Sequence, residues 1–366
     1  MFLPITNTPR DYAWGSTTAI ADLFGRTPTG APEAELWLGA HPGSPARVVG
    51  DDRTLIDVLD GARLPFLLKI LAAASPLSLQ AHPTMEQAQA GFDRENALGI
   101  PLDDPTRNYK DAYYKPELIF ALSETFDALC GFRAVELTRA QLADVPEAAP
   151  LLERLIDDAS LPAVFEWLLS RGDGVDALVE AVTDAAASRP AIPEFATVTD
   201  LAAAYPGDPG VVISLLLNRV TLSHGQVLYL PAGNIHAYLH GLGVELMAAS
   251  DNVLRGGLTP KHVDVPELLS VLDFTPVPVP YLPPVDLGFG VEVFRPTVPD
   301  FQLLHVVTDG SVELAASAIA ICTTGSFTLG GVSLEPGDAV FIDGERFVEI
   351  TGDGDLFIAT SGVMAV

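Results

Sequence analysis

The sequence has few basic residues and no long apolar run. Its 366 residues contain 20 Lys and Arg against 48 Asp and Glu, which gives a formal net charge of −28. A surface of this sign repels nucleic-acid phosphates and anionic lipid, so neither nucleic-acid binding nor membrane binding is expected. The most apolar stretch, residues 64–79, is shorter than the roughly 18 residues that span a bilayer and contains Lys69, so no membrane-spanning helix is predicted.

Cysteine is also scarce. Cys130 and Cys322 lie far apart, and apolar residues flank both. This pattern argues against a disulfide framework and against a CxxC metal site, and it predicts two buried thiols. Residues 1–10 contain no basic segment followed by an apolar one, so we expect no secretory signal and a cytoplasmic protein.

Apolar residues are plentiful, at 48% of the chain, and their pattern changes along it. Residues 1–133 alternate short apolar runs with turn residues, as antiparallel strands do. In residues 134–217 apolar side chains recur at helical spacing, for example over 161–169, and strand-like sequence then returns. A proline-rich stretch, residues 275–284, is unsuited to a helix or a central strand and is the best candidate for a linker.

These patterns predict a mainly β chain with a helical insertion domain. One helix is expected inside the first β segment, beginning at Thr84, where Thr84 and Gln87 form a capping-box pattern, and ending at Gly99. The predicted units are a discontinuous β domain of residues 1–133 and 218–274, a helical insertion of residues 134–217, and a C-terminal β domain of residues 275–366.

Polar side chains occupy alternate positions on three predicted strands. Because residues two apart project from the same face of a strand, Gln80 and His82 share one face, and so do Lys115 and Glu117. A single row of this kind is usually the solvent face of an ordinary strand. Together, four side chains from these rows offer oxygen and nitrogen ligands suited to a divalent metal, namely Gln80, His82, Glu117 and His236.

The segment from Gly225 to His236 fits the pattern G(x)5PxG(x)2H, which resembles the second sequence motif of the cupin superfamily of β-barrels. It describes a strand, a tight Pro-x-Gly turn and a strand that directs His236 into the barrel. His240 stands where the cupin pattern has Asn, so a metal-free cupin is the alternative. Residues 334–342 have a similar turn and strand without a histidine, which predicts a metal-free second barrel.

Six segments, in this order, resemble type I phosphomannose isomerases. They are residues 12–16 (YAWGS), 35–42 (ELWLGAHP), 79–83 (LQAHP), 115–118 (KPEL), 231–238 (PAGNIHAY) and 250–261 (SDNVLRGGLTPK). The resemblance implies cupin-type, jelly-roll β-barrels with a helical insertion, and one zinc ion per chain. It also implies that the chain interconverts mannose 6-phosphate and fructose 6-phosphate by moving a proton between C1 and C2 through an enediolate.

The resemblance also implies roles for individual residues. The zinc ligands of the family match Gln80, His82, Glu117 and His236, and its catalytic arginine matches Arg255. Further positions in its sugar-phosphate pocket match Lys69, Ser78, Lys115, Tyr238, Glu245, Asp251 and Lys261. The family commonly has histidine before KPE, where this chain has Tyr114, so a proton-transfer role of that histidine cannot apply unchanged.

The proposed reaction needs a base. Lys115 shares a strand face with Glu117 and would feel the cation, which lowers the pKa of a lysine, so it is our first candidate. Glu245 and Asp251 are rival bases, and a salt bridge with one of them is the structural alternative for Lys115. Arg255 cannot act as a base at neutral pH and is expected to bind substrate oxygens or stabilise the enediolate.

An anionic substrate also needs local positive charge in so acidic a chain. Only four lysines occur, and three of them are among the pocket positions. Lys69, Lys261 and Arg255, with the hydroxyl of Ser78, are the groups available for the phosphate. The large aromatic side chains of the N-terminal segments, Trp14 and Trp37, either line that pocket or belong to the core.

Two other functions remain open from the sequence. Two histidines and a glutamate also suit a cupin iron-dependent oxygenase, although this leaves residues 255–261 unexplained. A non-catalytic sugar-phosphate-binding cupin is the other alternative, and Tyr114 is the residue that favours it. In each case the expected partner is a small molecule, and the chain is expected to be a monomer or a weak homo-oligomer.

Overall fold

The computed structural model describes residues 1–362. The strands of these residues are β1 (Phe2–Thr6), β2 (Glu35–Leu38), β3 (Arg47–Val48), β4 (Phe66–Ala73), β5 (Gln80–Ala81), β6 (Glu117–Ala121), β7 (Thr125–Phe132), β8 (Leu217–Ser223), β9 (Val227–Leu230), β10 (His236–Ala248), β11 (Leu254–Arg255), β12 (Val285–Gly288), β13 (Val291–Phe294), β14 (Gln302–Val306), β15 (Gly310–Glu313), β16 (Ala318–Leu329), β17 (Val332–Leu334), β18 (Ala339–Ile342) and β19 (Phe347–Thr360). Their α-helices are α1 (Ala19–Leu23), α2 (Leu55–Leu59), α3 (Met85–Ala97), α4 (Val135–Leu142), α5 (Ala149–Leu152), α6 (Leu161–Leu169), α7 (Val175–Ala187), α8 (Pro193–Ala204), α9 (Gly210–Ile213) and α10 (Val265–Val271).

The strands form two antiparallel sheets. In the first, which we call the central sheet, the main strand order is β11-β5-β10-β4-β2, and β6 to β9 pair beside it. In the second, the C-terminal sheet, the main order is β12-β13-β14-β19-β16-β18-β1-β3. The predicted fold class, mainly β with a helical insertion, is confirmed, and the arrangement is consistent with cupin-type barrels.

Strand β10 organises the central sheet. Its first residues pair with β5 and β7, and its later residues pair with β4 and β6. Between the two halves the register with β7 shifts after Tyr238, and Gly241 has a φ of 137°. A Cβ at Gly241 would lie 2.6 Å from the Phe126 ring, so a larger residue cannot occupy this bend without movement.

The two sheets share one apolar core. On β4 the even-numbered side chains, such as Phe66 and Leu68, lie in the same cluster as Phe341 and Phe357 of the C-terminal sheet. Phe120 of β6 meets the Phe357 ring edge-on at 4.8 Å. The odd-numbered residues of β4 project from the opposite face of the strand, and Leu67, Lys69 and Leu71 line a cavity there. Residues on both faces of β4 are therefore buried.

The helical insertion has its own core. Helix α6 buries the residues predicted from their spacing, among them Leu161, Phe165 and Leu168. The predicted capping box of α3 is also present, since Thr84 Oγ1 accepts from Gln87 N. No helix among residues 1–362 combines the length and hydropathy that crossing a membrane requires.

The observed pairing departs from the predicted units at the N-terminus. Strand β1 pairs with β18, and β3 pairs with β1. Both therefore belong to the C-terminal sheet, although the sequence analysis placed them in the first β domain. Long-range pairing is not encoded in a local apolar pattern, which explains the difference. The three-unit division itself stays a prediction, and residues 363–366 of its last unit lie outside the described residues.

The proline-rich stretch is hydrogen-bonded rather than free. Val277 N donates to Phe132 O, and Leu282 N donates to Val227 O. The segment thus runs along the central sheet on its way to the C-terminal sheet. Both cysteines are buried free thiols, as predicted.

Candidate metal centre and active site

The predicted metal ligands come from adjoining strands of the central sheet. His236 begins β10 and is in register with Gln80 of β5, and His82 directly follows β5. Glu117 begins β6, which pairs with the far half of β10. On the other side of Gln80, Arg255 of β11 is in register with it. Residues in register on antiparallel strands share a face, so the topology brings Gln80, His236 and Arg255 to one side of the sheet. His82, two residues after Gln80, is expected on the same side.

The histidines and the carboxylate face one another. His82 Nε2 lies 3.3 Å from Glu117 Oε1, and His236 Nε2 lies 3.5 Å from Glu117 Oε2. With metal–ligand bonds of roughly 2.0–2.2 Å, the ligand atoms of a tetrahedral zinc site are about 3.3–3.6 Å apart. Both histidine–carboxylate distances therefore match such a site, and the ligand atoms of all three side chains lie within 4.8 Å of one another.

Backbone carbonyls fix the proton positions of both histidines. His82 Nδ1 donates to Asn252 O at 2.7 Å, and His236 Nδ1 donates to Asn234 O at 3.0 Å. Each Nε2 therefore keeps a lone pair on the side of Glu117. Among residues 1–362, His82 Nε2 and Glu117 Oε2 have no hydrogen-bond partner although both are buried. Since buried polar atoms are rarely unpartnered, this donor set fits a bound cation.

Gln80 supplies a fourth donor. Its side-chain amide lies 3.3 Å from His236 Nε2. A rotation of the amide exchanges its nitrogen and oxygen atoms, so this position can present the oxygen. Because a glutamine is neutral, Glu117 is the sole carboxylate of the four residues.

The charge states of two of these residues suit metal binding. Burial and the nearby Lys115 ammonium, opposed by the Glu117 carboxylate, together lower the pKa of His82 to about 4. Burial alone would raise the pKa of Glu117, but Lys115 and His82 outweigh it and hold the pKa well below its ordinary value. A neutral imidazole and an ionised carboxylate are the forms that bind a metal.

A cavity of about 570 Å³ lies over this cluster. Two of the twelve predicted site residues, His82 and His236, are fully buried beside Glu117. The other ten line the cavity and are Lys69, Ser78, Gln80, Lys115, Glu117, Tyr238, Glu245, Asp251, Arg255 and Lys261. The structure thus brings all twelve together.

Two lysines of the cavity are paired with carboxylates. Lys115 Nζ lies 2.8 Å from Glu117 Oε1, so its ion pair is with the proposed metal ligand and not with the rival bases. Lys69 Nζ lies 2.8 Å from Glu245 Oε2 and 3.3 Å from Glu35 Oε1. The register of β4 with β10 places Lys69 directly opposite Glu245, which explains the contact.

Burial and charge oppose each other at Lys69. Burial lowers the pKa of Lys69, but the carboxylates of Glu245 and Glu35 outweigh it and raise the pKa above its ordinary value. Burial raises the pKa of Glu245, and Lys69 opposes this shift. Lys69 is therefore a charged lysine whose charge two carboxylates already balance.

The cations at the rim of the cavity, on β11 and the loop after it, differ from Lys69 and Lys115 in having no carboxylate partner among the described residues. In residues 1–362, Arg255 and Lys261 have no carboxylate oxygen within 4.0 Å. Burial lowers the pKa of Arg255, and burial together with the Arg255 charge lowers that of Lys261. Two cations without a carboxylate partner thus face the cavity that also exposes Ser78.

Comparisons with known proteins agree with this site. A family model described as phosphomannose isomerase type I, catalytic domain, matches residues 2–135. The mannose-6-phosphate isomerase of Escherichia coli strain K12 is 38% identical over 96% of this chain and 97% of its own length. The chain belongs to the type I phosphomannose isomerase family. The human mannose-6-phosphate isomerase is 31% identical over 97% of both chains.

A solved member of this family has the same fold. It is a crystal structure of mannose 6-phosphate isomerase bound with zinc and yttrium, with a TM-score of 0.92 and 35% identity. The alignment covers 99% of this chain and 100% of the other. The similarity to the isomerases therefore includes the helical insertion and the C-terminal sheet, to which the sequence motifs contributed little.

Tyr114, where the family pattern has histidine, is not among the residues that line the cavity. Its hydroxyl donates to the Asp300 carboxylate in the C-terminal segment. Burial raises the pKa of Tyr114, and so does this hydrogen bond. The tyrosine thus connects the residues just before β6 to Asp300. Its position outside the cavity gives no reason to expect that the protein binds the sugar phosphate without turnover.

Several residues of the cavity were missed or left open by sequence reasoning. Trp14 and Trp37, left between pocket and core, both line it. Glu35 was missed, although it begins the ELWLGAHP motif. His41 of the same motif does not line the cavity, but its Nε2 donates at 2.9 Å to Oδ2 of Asp251, which does, and its Nδ1 accepts a backbone N–H. Tyr205 lines the cavity from the helical insertion, and no motif marked it.

Proposed function

We propose that this phosphomannose isomerase interconverts mannose 6-phosphate and fructose 6-phosphate by moving a proton between C1 and C2. The observation that carries the proposal is the arrangement of the cavity. A buried cluster of nitrogen and oxygen ligand atoms lies on one side, and two of them, His82 Nε2 and Glu117 Oε2, have no hydrogen-bond partner within residues 1–362. Two cations that have no carboxylate partner in the same residues lie at the rim. An electrophilic centre and a phosphate site in one cavity are what this reaction needs.

We assign one zinc ion per chain to Gln80, His82, Glu117 and His236. One carboxylate and three neutral ligands leave a net charge of about +1, with which a bound zinc ion polarises a carbonyl as a Lewis acid. The backbone carbonyls that hold both histidine rings fix the ligand directions before the ion binds. Before the ion binds, the Lys115 ammonium holds Glu117 in its ionised form.

Lys115 is the proposed proton-transfer residue. In its deprotonated form its Nζ takes the proton from C2 of the aldose and returns it at C1, while the hydroxyl proton of the aldose moves from O2 to O1, so that C2 becomes the carbonyl carbon and no atom is gained or lost. Its position 2.8 Å from Glu117 places it beside the metal ligands. The rival bases are each held by another group, since Glu245 pairs with Lys69 and Asp251 accepts from His41.

The remaining cavity residues bind and orient the sugar phosphate. Arg255 and Lys261 are assigned to the phosphate with Ser78, because opposite charge without a competing carboxylate favours an anion. Arg255 also lies beside the ligand Gln80 and can reach substrate oxygens near the reacting carbons. Hydroxyl recognition is assigned to the polar wall of Lys69, Tyr238, Glu245 and Asp251.

Family membership disfavours the two other functions. An oxygenase function assigns no role to the two neighbouring cations of the cavity, Arg255 and Lys261. A sugar-phosphate-binding protein without turnover was suggested by Tyr114, which does not line the cavity. A cytoplasmic location, a monomeric or weakly associated state, and the absence of nucleic-acid and membrane partners remain predictions of the sequence analysis.

A coupled assay of fructose 6-phosphate formation tests the proposal. Zinc-loaded protein is expected to turn over mannose 6-phosphate, to lose activity after chelation, and to regain it when zinc is restored. Binding of the sugar phosphate without turnover by the zinc-loaded protein would overturn the isomerase assignment. Full activity after complete metal removal would overturn the metal-dependent mechanism.

A further inference from the structure

Two loops form the rim of the cavity where the phosphate is assigned. The first, residues 76–79, carries Ser78, and the second, residues 255–261, carries Arg255 and Lys261. Backbone hydrogen bonds join them, because Leu79 N donates to Gly257 O at 3.1 Å and Gly256 N donates to Leu79 O at 2.7 Å. The loops therefore move as one unit unless these bonds break.

The helical insertion reaches the first loop through Tyr205, which directly follows α8. The Tyr205 hydroxyl donates to Pro76 O at 2.7 Å, two residues before Ser78. The Tyr205 side chain also lines the cavity itself. One side chain of the insertion thus fixes the loop that presents the serine.

The insertion reaches the second loop a few residues later. Asp208 accepts from Thr259 N at 3.4 Å and from Gly210 N at 2.7 Å. A Cβ at Gly210 would lie 2.9 Å from Leu258 N, and a Cβ at Gly257, where φ is +113°, would lie 3.1 Å from Asp208 Oδ1. Both glycines therefore allow the backbone of residues 208–210 to lie close to that of residues 257–259, where a side chain at either position would obstruct the contact.

The rim needs such support because its charges repel one another. Arg255 and Lys261 are like charges, and burial together with the Arg255 charge disfavours the charged form of Lys261. Without a carboxylate between them, they stay close only if their loop is held. A phosphate bound by both requires them at fixed separation from Ser78, and small displacements of binding groups are costly.

We propose that residues 205–210 of the helical insertion form a clamp that positions the phosphate-binding rim, with Tyr205 as its positioning residue. The clamp sets the affinity for the phosphate group and takes no part in proton transfer or metal binding. This inference rests on the proposed function, since it takes the anion at the rim to be the substrate phosphate.

Tyr205→Phe tests the clamp because it removes only the hydroxyl. The measurements are KM and kcat for mannose 6-phosphate, the Kd of inorganic phosphate by calorimetry, and the zinc content. Loss of one hydrogen bond is expected to raise KM and the phosphate Kd together by about threefold to tenfold. We expect kcat and zinc content to stay at the wild-type values. Tyr281→Phe, at an exposed tyrosine outside the cavity, is the matched control and should change nothing.

Gly210→Ala is a second variant, which pushes against the backbone of Leu258. It is expected to raise KM and the phosphate Kd more than Tyr205→Phe does, again with unchanged zinc content. Lower thermal stability with an unchanged phosphate Kd in both variants would overturn the clamp, and so would a fall in kcat at constant KM. Undetectable phosphate binding by the wild type would overturn it as well.

Direct phosphate titration keeps the two proposals apart. Zinc-loaded wild type that binds inorganic phosphate but does not turn over mannose 6-phosphate overturns the proposed function alone. Normal turnover with an unchanged phosphate Kd in Tyr205→Phe and Gly210→Ala overturns the clamp alone.

Discussion

The two buried lysines of the cavity differ in their carboxylate partners. Lys69 lies between Glu245 and Glu35, whereas Lys115 has only Glu117 as a carboxylate partner in the part of the chain that the structure describes. A bound metal would compete with Lys115 for the electrons of Glu117, but it would leave the partners of Lys69 in place. Of the two amines, Lys115 is therefore the one that can exchange a proton with substrate.

Replacing Lys115 by methionine should abolish most turnover while the metal stays bound. Positioned acid–base groups contribute about 10²-fold to 10⁴-fold to rate, so we expect kcat to fall by at least about 10²-fold in Lys115→Met. The four metal ligands are unchanged, and zinc content should remain near one per chain. Steady-state kinetics and metal analysis check both expectations.

Lys110→Met is the control for this substitution, because Lys110 does not line the cavity and donates to loop carbonyls instead. Its kcat should match that of the wild type. A Lys115→Met enzyme that keeps kcat within about tenfold would assign the base to Glu245 or Asp251.

The residues that sequence reasoning found are those whose chemistry is visible locally. Gln80, His82 and Glu117 form polar rows on strands, and such rows can be recognised from the spacing of residue types. Glu35 and Tyr205 could not be found in this way. The first meets Lys69 through the pairing of β2 with β4, and the second reaches the cavity because the insertion docks on the rim.

At the scale of elements, the bend of β10 determines how the site is assembled. One half of the strand carries His236 and the other half carries Glu245, and Gly241 lies between them. The positive φ at Gly241 and the Phe126 ring, which would lie 2.6 Å from an added Cβ, leave no room for a side chain. The same strand can therefore supply a metal ligand and the partner of Lys69 only because a glycine stands at the bend.

Gly241→Ala is expected to destabilise the fold by about 2 kcal/mol or more, because strain at positive φ adds to overpacking against the Phe126 ring. The free energy of unfolding from urea titration measures the effect. Gly50→Ala is the control, since Gly50 has a φ of 77° and, chain neighbours aside, no atom of the described residues lies within 4 Å of an added Cβ. Equal losses in the two variants would contradict a steric role for Phe126.

Strands β14 and β19 contain a pair with a defined pH dependence. His305 Nε2 donates to Asp355 at 2.8 Å, and this hydrogen bond lowers the pKa of Asp355 below its ordinary value, while partial burial opposes the shift. A carboxyl whose pKa is lower in the folded state stabilises the fold above its unfolded pKa of about 3.9. That stability is lost as the pH falls through the folded pKa.

Asp355→Asn should therefore reduce the free energy of unfolding near neutral pH and have less effect under acid conditions. Urea unfolding of the wild type and the variant at pH 7 and at about pH 3 measures the difference between them, which should shrink at the lower pH. A difference that is the same at both values would show that the ionised form of Asp355 contributes nothing.

Local signals predicted elements better than they predicted pairings. The capping box at Thr84 and the apolar spacing of α6 involve residues within a few positions of one another, and both are present in the fold. The partner of β1 is more than 300 residues away, at β18. Nothing in the residues of β1 distinguishes that partner from a strand of the central sheet.

At the scale of the whole molecule, the two sheets depend on each other. The N-terminal strand completes the C-terminal sheet, and the Phe120 ring of the central sheet packs against Phe294 and Phe357. The Tyr114 hydroxyl adds a polar link to Asp300. A C-terminal sheet joined in this way acts as part of the scaffold that carries Glu117.

This coupling predicts that the full chain unfolds as a unit and that the C-terminal sheet cannot be removed. Because residues of both sheets lie in one apolar cluster, separation would expose much of that cluster to water. Calorimetry of the intact protein is expected to show one cooperative transition for the two sheets. A chain ended at residue 274 should be insoluble or unable to retain zinc. A zinc-loaded and active protein of residues 1–274, or separate thermal transitions for the two sheets, would show instead that the C-terminal sheet is an independent domain.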